Sequence, residues 1–172
     1  MHTDNKFDLI VVGAGHSGIE ASLAAAKRGL KVALFTIKIE AIGRMSCNPS
    51  IGGPAKGHLA REIDALGGEL AKSADLSGIH FRMLNRSKGP AVWAPRSQND
   101  RQKYHLLMRE AVEKQENIHL IEATIEEIIV ENGCVKGVIS QIGHCYYAPK
   151  VILATGTFLQ GKIHIGKISY AG

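Results

Sequence analysis

The chain has 172 residues, enough for one ordinary domain with a real core, and its 45% hydrophobic and 22% charged composition is that of a soluble globular protein. No stretch reaches the ~18 apolar residues that would span a bilayer, and the first apolar run, Leu9–Val12, leads into glycines rather than a cleavage site. Three cysteines (Cys47, Cys134 and Cys145) are widely spaced, odd in number and in no metal-ligand pattern, which excludes a disulfide framework and points to a reducing, cytoplasmic setting. The net charge of +5 is concentrated in residues 80–110, where seven cations face only Asp100 and Glu110. That segment is either a solvated face or a surface for a polyanion.

In chain order, Phe7–Val12 (FDLIVV) reads as a buried parallel strand stopped by glycine. Ser17–Arg28 is an alanine-rich helix ended by Gly29, and Lys31–Phe35 is a second strand. These make a βαβ unit. From Ile37 to Pro54 the pattern dissolves into a loop. Helices are expected over about 55–66 and about 98–114, followed by a strand at Ile118–Ile121. Ile125–Glu131, the Asn132-Gly133 turn, Cys134–Ser140 and Tyr146-Tyr147 read as a small antiparallel meander. Val151–Ala154 is a final buried strand running into Thr155-Gly156. The expected fold is α/β: a Rossmann-like FAD-binding domain of the two-dinucleotide, glutathione-reductase-like type, with the meander as an insertion. Residues 1–172 are expected to be its incomplete amino-terminal part, the rest of the enzyme lying outside this chain.

Gly13-Ala14-Gly15-His16-Ser17-Gly18 is GxGxxG, directly after a strand and opening a helix. Its spacing has a mechanical reason. Gly13 permits the tight turn, Gly15 lets backbone approach a pyrophosphate, and Gly18 lets the helix pack on the strand, while the helix N-terminus offers free N–H groups to phosphate. The acidic ribose ligand expected about 20 residues on is missing, with Thr36 in its place and Glu40 beyond it in a loop. The ribose contact then falls to Thr36, to backbone or to Glu40, which argues against a plain NAD dehydrogenase. VILATG (Val151–Gly156) favours FAD by placing a second small-residue turn near the cofactor. Ile125, after Ala123-Thr124, is either an adenine-side contact or an ordinary strand residue.

Gly43–Gly68 (GRMSCNPSIGGPAKGHLAREIDALGG), with Gly13–Gly18, Asn85–Val92 (NRSKGPAV) and Gly156–Gly166 (GTFLQGKIHIG), resembles the glucose-inhibited division protein A family. Its members, also called MnmG, are tRNA uridine 5-carboxymethylaminomethyl modification enzymes. The resemblance covers essentially the whole chain, Thr36 included. It implies a homodimeric FAD enzyme that acts with a partner GTPase of the MnmE type. The pair builds an aminomethyl or carboxymethylaminomethyl group on C5 of the wobble uridine of tRNA, using methylenetetrahydrofolate and NADH. On this resemblance Gly13, Ala14, Gly15, His16, Ser17, Gly18 and Ile125 bind FAD. Cys47, of the Ser-Cys-Asn-Pro motif, is the catalytic candidate, a thiolate able to add to C6 of uridine. Cys134 and Cys145 read as structural.

A tRNA substrate gives the basic segment a role, with Arg86, Lys88, Arg96 and Arg101 as phosphate contacts; the dimer interface and the flavin pyrophosphate are their other possible uses. Gly52–Gly57 lacks P-loop spacing, so Lys56 is no GTP ligand, and neither a metal site nor a membrane segment is expected. Three rival readings stand beside the resemblance: a folate/FAD-dependent tRNA uridine methyltransferase, a small-molecule flavin oxidoreductase and a non-catalytic tRNA-binding module.

Overall fold

A computed structural model describes residues 5–159 and 161–171. In chain order the strands and helices are β1 (Leu9–Val12), α1 (His16–Ala26), β2 (Val32–Thr36), β3 (Ser50–Gly52), α2 (Lys56–Ala65), α3 (Leu70–Ser77) and β4 (Gly78–Leu84). There follow β5 (Ala94–Asn99), α4 (Arg101–Glu113), β6 (Ile118–Glu122), β7 (Ile125–Glu131), β8 (Cys134–Ser140), β9 (Cys145–Tyr147), β10 (Val151–Leu153), β11 (Lys162–Ile165) and β12 (Ile168–Ala171).

The main sheet is parallel, in the order β10-β1-β2-β6, with Leu9 opposite Val32 and Ile10 opposite Val151. Strand alternation divides its apolar residues between two cores. Leu9, Val11, Val32 and Leu34 join Ile19 and Leu23 of α1 and Tyr104, Met108 and Val112 of α4. Ile10, Ala33 and Phe35 point the other way, onto Val138 of the β7-β8-β9 meander and Ala148 just after it. Helices thus cover one face and the meander covers the other. Phe35 is fully buried and meets Tyr146 edge-on at 4.9 Å between ring centroids, so its truncation to alanine would cost about 3–5 kcal/mol.

The expected βαβ unit, the meander and its Asn132-Gly133 turn are present, Asn132 and Gly133 both having positive φ. Three expectations are corrected. The strand at 151–153 is an edge, which leaves Ile152 and Leu153 38% and 49% exposed rather than buried. The loop at 37–54 contains a 3-10 turn at Ile39–Ala41 and the strand β3. The helix expected from about residue 98 starts at Arg101, because the Asp100 carboxylate accepts from the backbone N–H groups of Gln102 and Lys103 and so caps it there. Residues 94–99 before that cap instead form the centre strand of an antiparallel sheet, β3-β5-β4. α3 and the β11–β12 hairpin were not anticipated. The buried Asn99 fastens β5 to α3, donating to the Ala74 carbonyl (2.6 Å) and Ser77 Oγ (3.0 Å) while accepting from Ser97 Oγ.

Candidate functional site

The dinucleotide turn lies at the carboxyl ends of the parallel strands, where open α/β sheets take their ligands. Gly13 N–H donates to the Phe35 carbonyl (2.9 Å), and Ala154 N–H to that of Val12 (2.8 Å). Each glycine of the fingerprint has a separate cause. Gly13 sits at φ 106°, and a Cβ on it would run into the carbonyl of Ala154. A Cβ on Gly18 would strike the carbonyl oxygen of Gly13, so that glycine is what brings α1 against the strand. Gly15 differs from both: its φ is an ordinary −75°, it is exposed, and a Cβ there would meet no protein atom within 4 Å. The chain itself does not require glycine at that position.

Ser17 is exposed beside Gly15, Ala14 is buried, and α1 has no side-chain cap on its N-terminus. Bare N–H groups with an open approach fit a pyrophosphate. Thr36, at the end of β2, donates from Oγ1 to the Lys38 carbonyl (3.0 Å), and Glu40 lies in the following 3-10 turn. Ile125 opens β7 opposite Ser140 and packs against the meander-side core, just beyond the ends of β2 and β6. The carbonyl of its neighbour Thr124 accepts from Gln141 N–H.

Behind the turn, the His16 and Tyr104 rings are 5.6 Å apart, and His16 Nε2 and the Tyr104 hydroxyl are buried with no hydrogen-bond partner in the protein. Burial pushes the His16 pKa below its usual 6.5. Burial raises the Tyr104 phenol well above its ordinary range, and the carboxylates of Glu20 and Glu69 add to that. Glu20, one turn along α1 from His16, accepts from the backbone N–H groups of Glu69 (2.9 Å) and Leu70, capping α3 from a different helix.

Cys47 is exposed, and Arg101 Nη2 donates to its carbonyl at 2.6 Å. It shares a cleft of about 620 Å3 with His16 of the fingerprint, Lys56 and Arg96. Arg96 reaches in from β5, its Nη2 donating to Ser50 Oγ (3.2 Å). Two of the expected phosphate contacts therefore gather around Cys47. The other two, Arg86 and Lys88, stand exposed on a separate 3-10 turn. Cys134 is exposed beside the meander turn, and Cys145 is half-buried. No cluster of metal-ligating side chains occurs among the described residues. Sequence reasoning missed Glu20, Tyr104 and the cleft position of Lys56. None of these carries a motif, and their partners lie far away in the chain.

The family model for glucose inhibited division protein A matches residues 8–172. The chain is 59% identical to the tRNA uridine 5-carboxymethylaminomethyl modification enzyme MnmG of Thermodesulfovibrio yellowstonii, over 99% of this chain and 27% of that protein. Among solved structures it matches GidA of Aquifex aeolicus with a TM-score of 0.92 at 48% identity, over 98% of this chain and 28% of that one. The GidA-related protein of Thermus thermophilus, at 22% identity and TM-score 0.66 over 95% of this chain and 59% of that one, shares the fold. The chain thus spans about a quarter of the length of these curated MnmG relatives.

Proposed function

The chain belongs to the glucose-inhibited division protein A family, and from that premise we propose that it is the FAD-binding part of an enzyme that modifies tRNA at C5 of the wobble uridine. The observation that carries this reading is the shared cleft, which puts Cys47 beside His16 of the dinucleotide turn. When bound, FAD supplies the oxidation–reduction chemistry. Gly13, Ala14, Gly15, His16, Ser17 and Gly18 would hold its pyrophosphate at the start of α1, with Ile125 toward the adenine.

Cys47 supplies a thiol at an exposed position, where a thiolate adds to C6 of a uracil ring and makes C5 nucleophilic. Arg101 fixes the backbone from which that thiol projects. Arg86 and Lys88 face solvent and suit phosphates of the tRNA body. The family supports the wider assignment for the intact protein: a cytoplasmic homodimer working with a GTPase of the MnmE type, methylenetetrahydrofolate and NADH. No described helix is long and apolar enough to cross a membrane.

The test is mass spectrometry of tRNA nucleosides from cells lacking the intact gene. Wobble uridines should lose the aminomethyl-type group and regain it on complementation. Loss of a methyluridine from the T-loop instead would move the protein to the methyltransferase reading, and intact protein purified without flavin would favour a non-catalytic tRNA-binding module.

A further inference from the structure

The cleft that holds Cys47 is electrically one-sided. Its described lining contains Lys56 from the start of α2 and Arg96 from β5, and no Asp or Glu. An adjoining cleft of about 460 Å3 shares Ile51, Gly52, Ala60 and Arg96, but there Arg61 and Arg82 are accompanied by Asp64 and Asp75. Counting the shared Arg96, three arginines there face two aspartates, whereas both cations of the Cys47 cleft lack an acidic residue in its lining. Two cations near one concavity repel each other, and an anionic ligand removes that cost. Arg96 is also held in place, since Nη2 donates to Ser50 Oγ while the rest of its fork remains for a ligand.

The remainder of the wall is aliphatic: Ile51, Leu59, Ile63, Leu70 and Leu84. Leu59 is 58% exposed, an apolar side chain facing an opening rather than a core. Apolar wall, paired cations and a thiol match the parts of one pyrimidine nucleotide, namely base, phosphate and C6. The volume of about 620 Å3 lies within the usual range for small-ligand sites, roughly 300–1,000 Å3.

We propose that this cleft receives a single flipped-out pyrimidine nucleotide, with Lys56 and Arg96 holding its phosphate and the aliphatic wall and Cys47 receiving its base. The proposal rests on the tRNA-modification reading and gives it a substrate subsite. A base inside an RNA loop must leave its stack to meet a side-chain nucleophile, and the flanking phosphate is the handle that every such nucleotide carries. Arg96 in this role is a contact to the target nucleotide itself, unlike the body contacts assigned to Arg86 and Lys88.

The experiment uses the full-length, flavin-loaded protein and follows the rate at which iodoacetamide alkylates Cys47, read by peptide mass spectrometry. 5′-UMP, uridine and inorganic phosphate are the competing probes. 5′-UMP should protect Cys47 at concentrations roughly tenfold or more below those at which uridine does, the size expected for a charge-assisted phosphate contact. Inorganic phosphate alone should protect weakly. In Lys56→Gln, an exposed position, and in Arg96→Gln, the advantage of 5′-UMP over uridine should disappear, while Arg96→Lys should retain part of it. Equal protection by 5′-UMP and uridine, or none by either, overturns the proposal. So does a fall in FAD affinity in the Lys56 or Arg96 variants in place of a fall in UMP affinity, because the phosphate held there would then be the cofactor's. Wobble modification by the same preparation tests the underlying reading separately: modification with no phosphate-dependent protection sinks the subsite and leaves the function standing.

Discussion

Arg101 and Cys47 are joined through backbone: the guanidinium Nη2 of the first residue of α4 donates to the carbonyl oxygen of Cys47 at 2.6 Å. A helix anchored in the main core thus holds the loop that carries the candidate nucleophile. Replacing Arg101 with alanine should leave flavin content unchanged and destabilise the fold by less than about 1 kcal/mol, since the bond is exposed. The loop should move, and a changed rate of Cys47 alkylation would report it. An unchanged rate would return Arg101 to solvent and to tRNA.

The first and second glycines of the fingerprint should fail in different ways. Gly13→Ala forces a Cβ into the Ala154 carbonyl at a positive φ, so urea unfolding should show a loss of roughly 2 kcal/mol or more. A Cβ at Gly15 meets no protein atom within 4 Å, so Gly15→Asp should unfold like the parent. Its carboxylate would occupy the pyrophosphate approach, so FAD per protein should collapse. Normal flavin occupancy in the folded Gly15→Asp protein would refute this placement of the cofactor.

Burial holds His16 neutral in the folded chain, with its pKa below 6.5. The unfolded chain takes up a proton near 6.5 and the folded chain does not. Stability is therefore full above that pH and declines as the pH falls from 6.5 toward the lowered folded value. Compared with His16→Asn, the wild type should lose stability as the pH falls through 6.5, at no more than ~1.4 kcal/mol per pH unit. Parallel pH profiles would show that His16 titrates alike in both states.

Cys47→Ser in the intact enzyme keeps the size of the side chain and removes most of its nucleophilicity near neutral pH. Single-turnover wobble modification should be abolished while FAD and tRNA affinity stay close to normal. Near-normal turnover would end the catalytic role. Loss of flavin would make the residue part of the cofactor scaffold instead.

Arg86 and Lys88 lie away from the cleft on an exposed turn, so their removal should act on tRNA affinity alone. The double alanine variant should bind all tRNAs more weakly and flatten the salt dependence, by roughly 0.7–0.9 in the logarithmic slope for each phosphate no longer neutralised. An unaltered slope would leave the turn without a part in binding.

The βαβ unit and the meander were legible because each is specified by adjacent residues: an apolar run, a glycine string, an alanine-rich helix, an Asn-Gly turn. The β3-β5-β4 sheet was not. Its strands SIG, GIHFRML and APRSQN are short or polar, and Pro95 disguises the central one. α3 has eight residues, and its cap comes from Glu20 on α1, a signal that no local window contains. The same holds for the site. Gly13–Gly18 and Cys47 announce themselves by motif, whereas Lys56 and Arg96 share a cleft only because β3 and β5 pair, with Gly52 opposite Arg96.

The contact between Gly13 and Ala154 also sets an order of events. β1 emerges early in synthesis, but its neighbour β10 is paired through Ile10 and Val151, with β2 through β9 between them in the chain. A nascent chain that has made GxGxxG, α1 and β2 still lacks the wall against which Gly13 is packed. The nucleotide-binding turn is completed only by β10, which follows the small sheet and the meander in the chain. Flavin capture accordingly waits on the slow, long-range closure of the sheet rather than on the fingerprint alone.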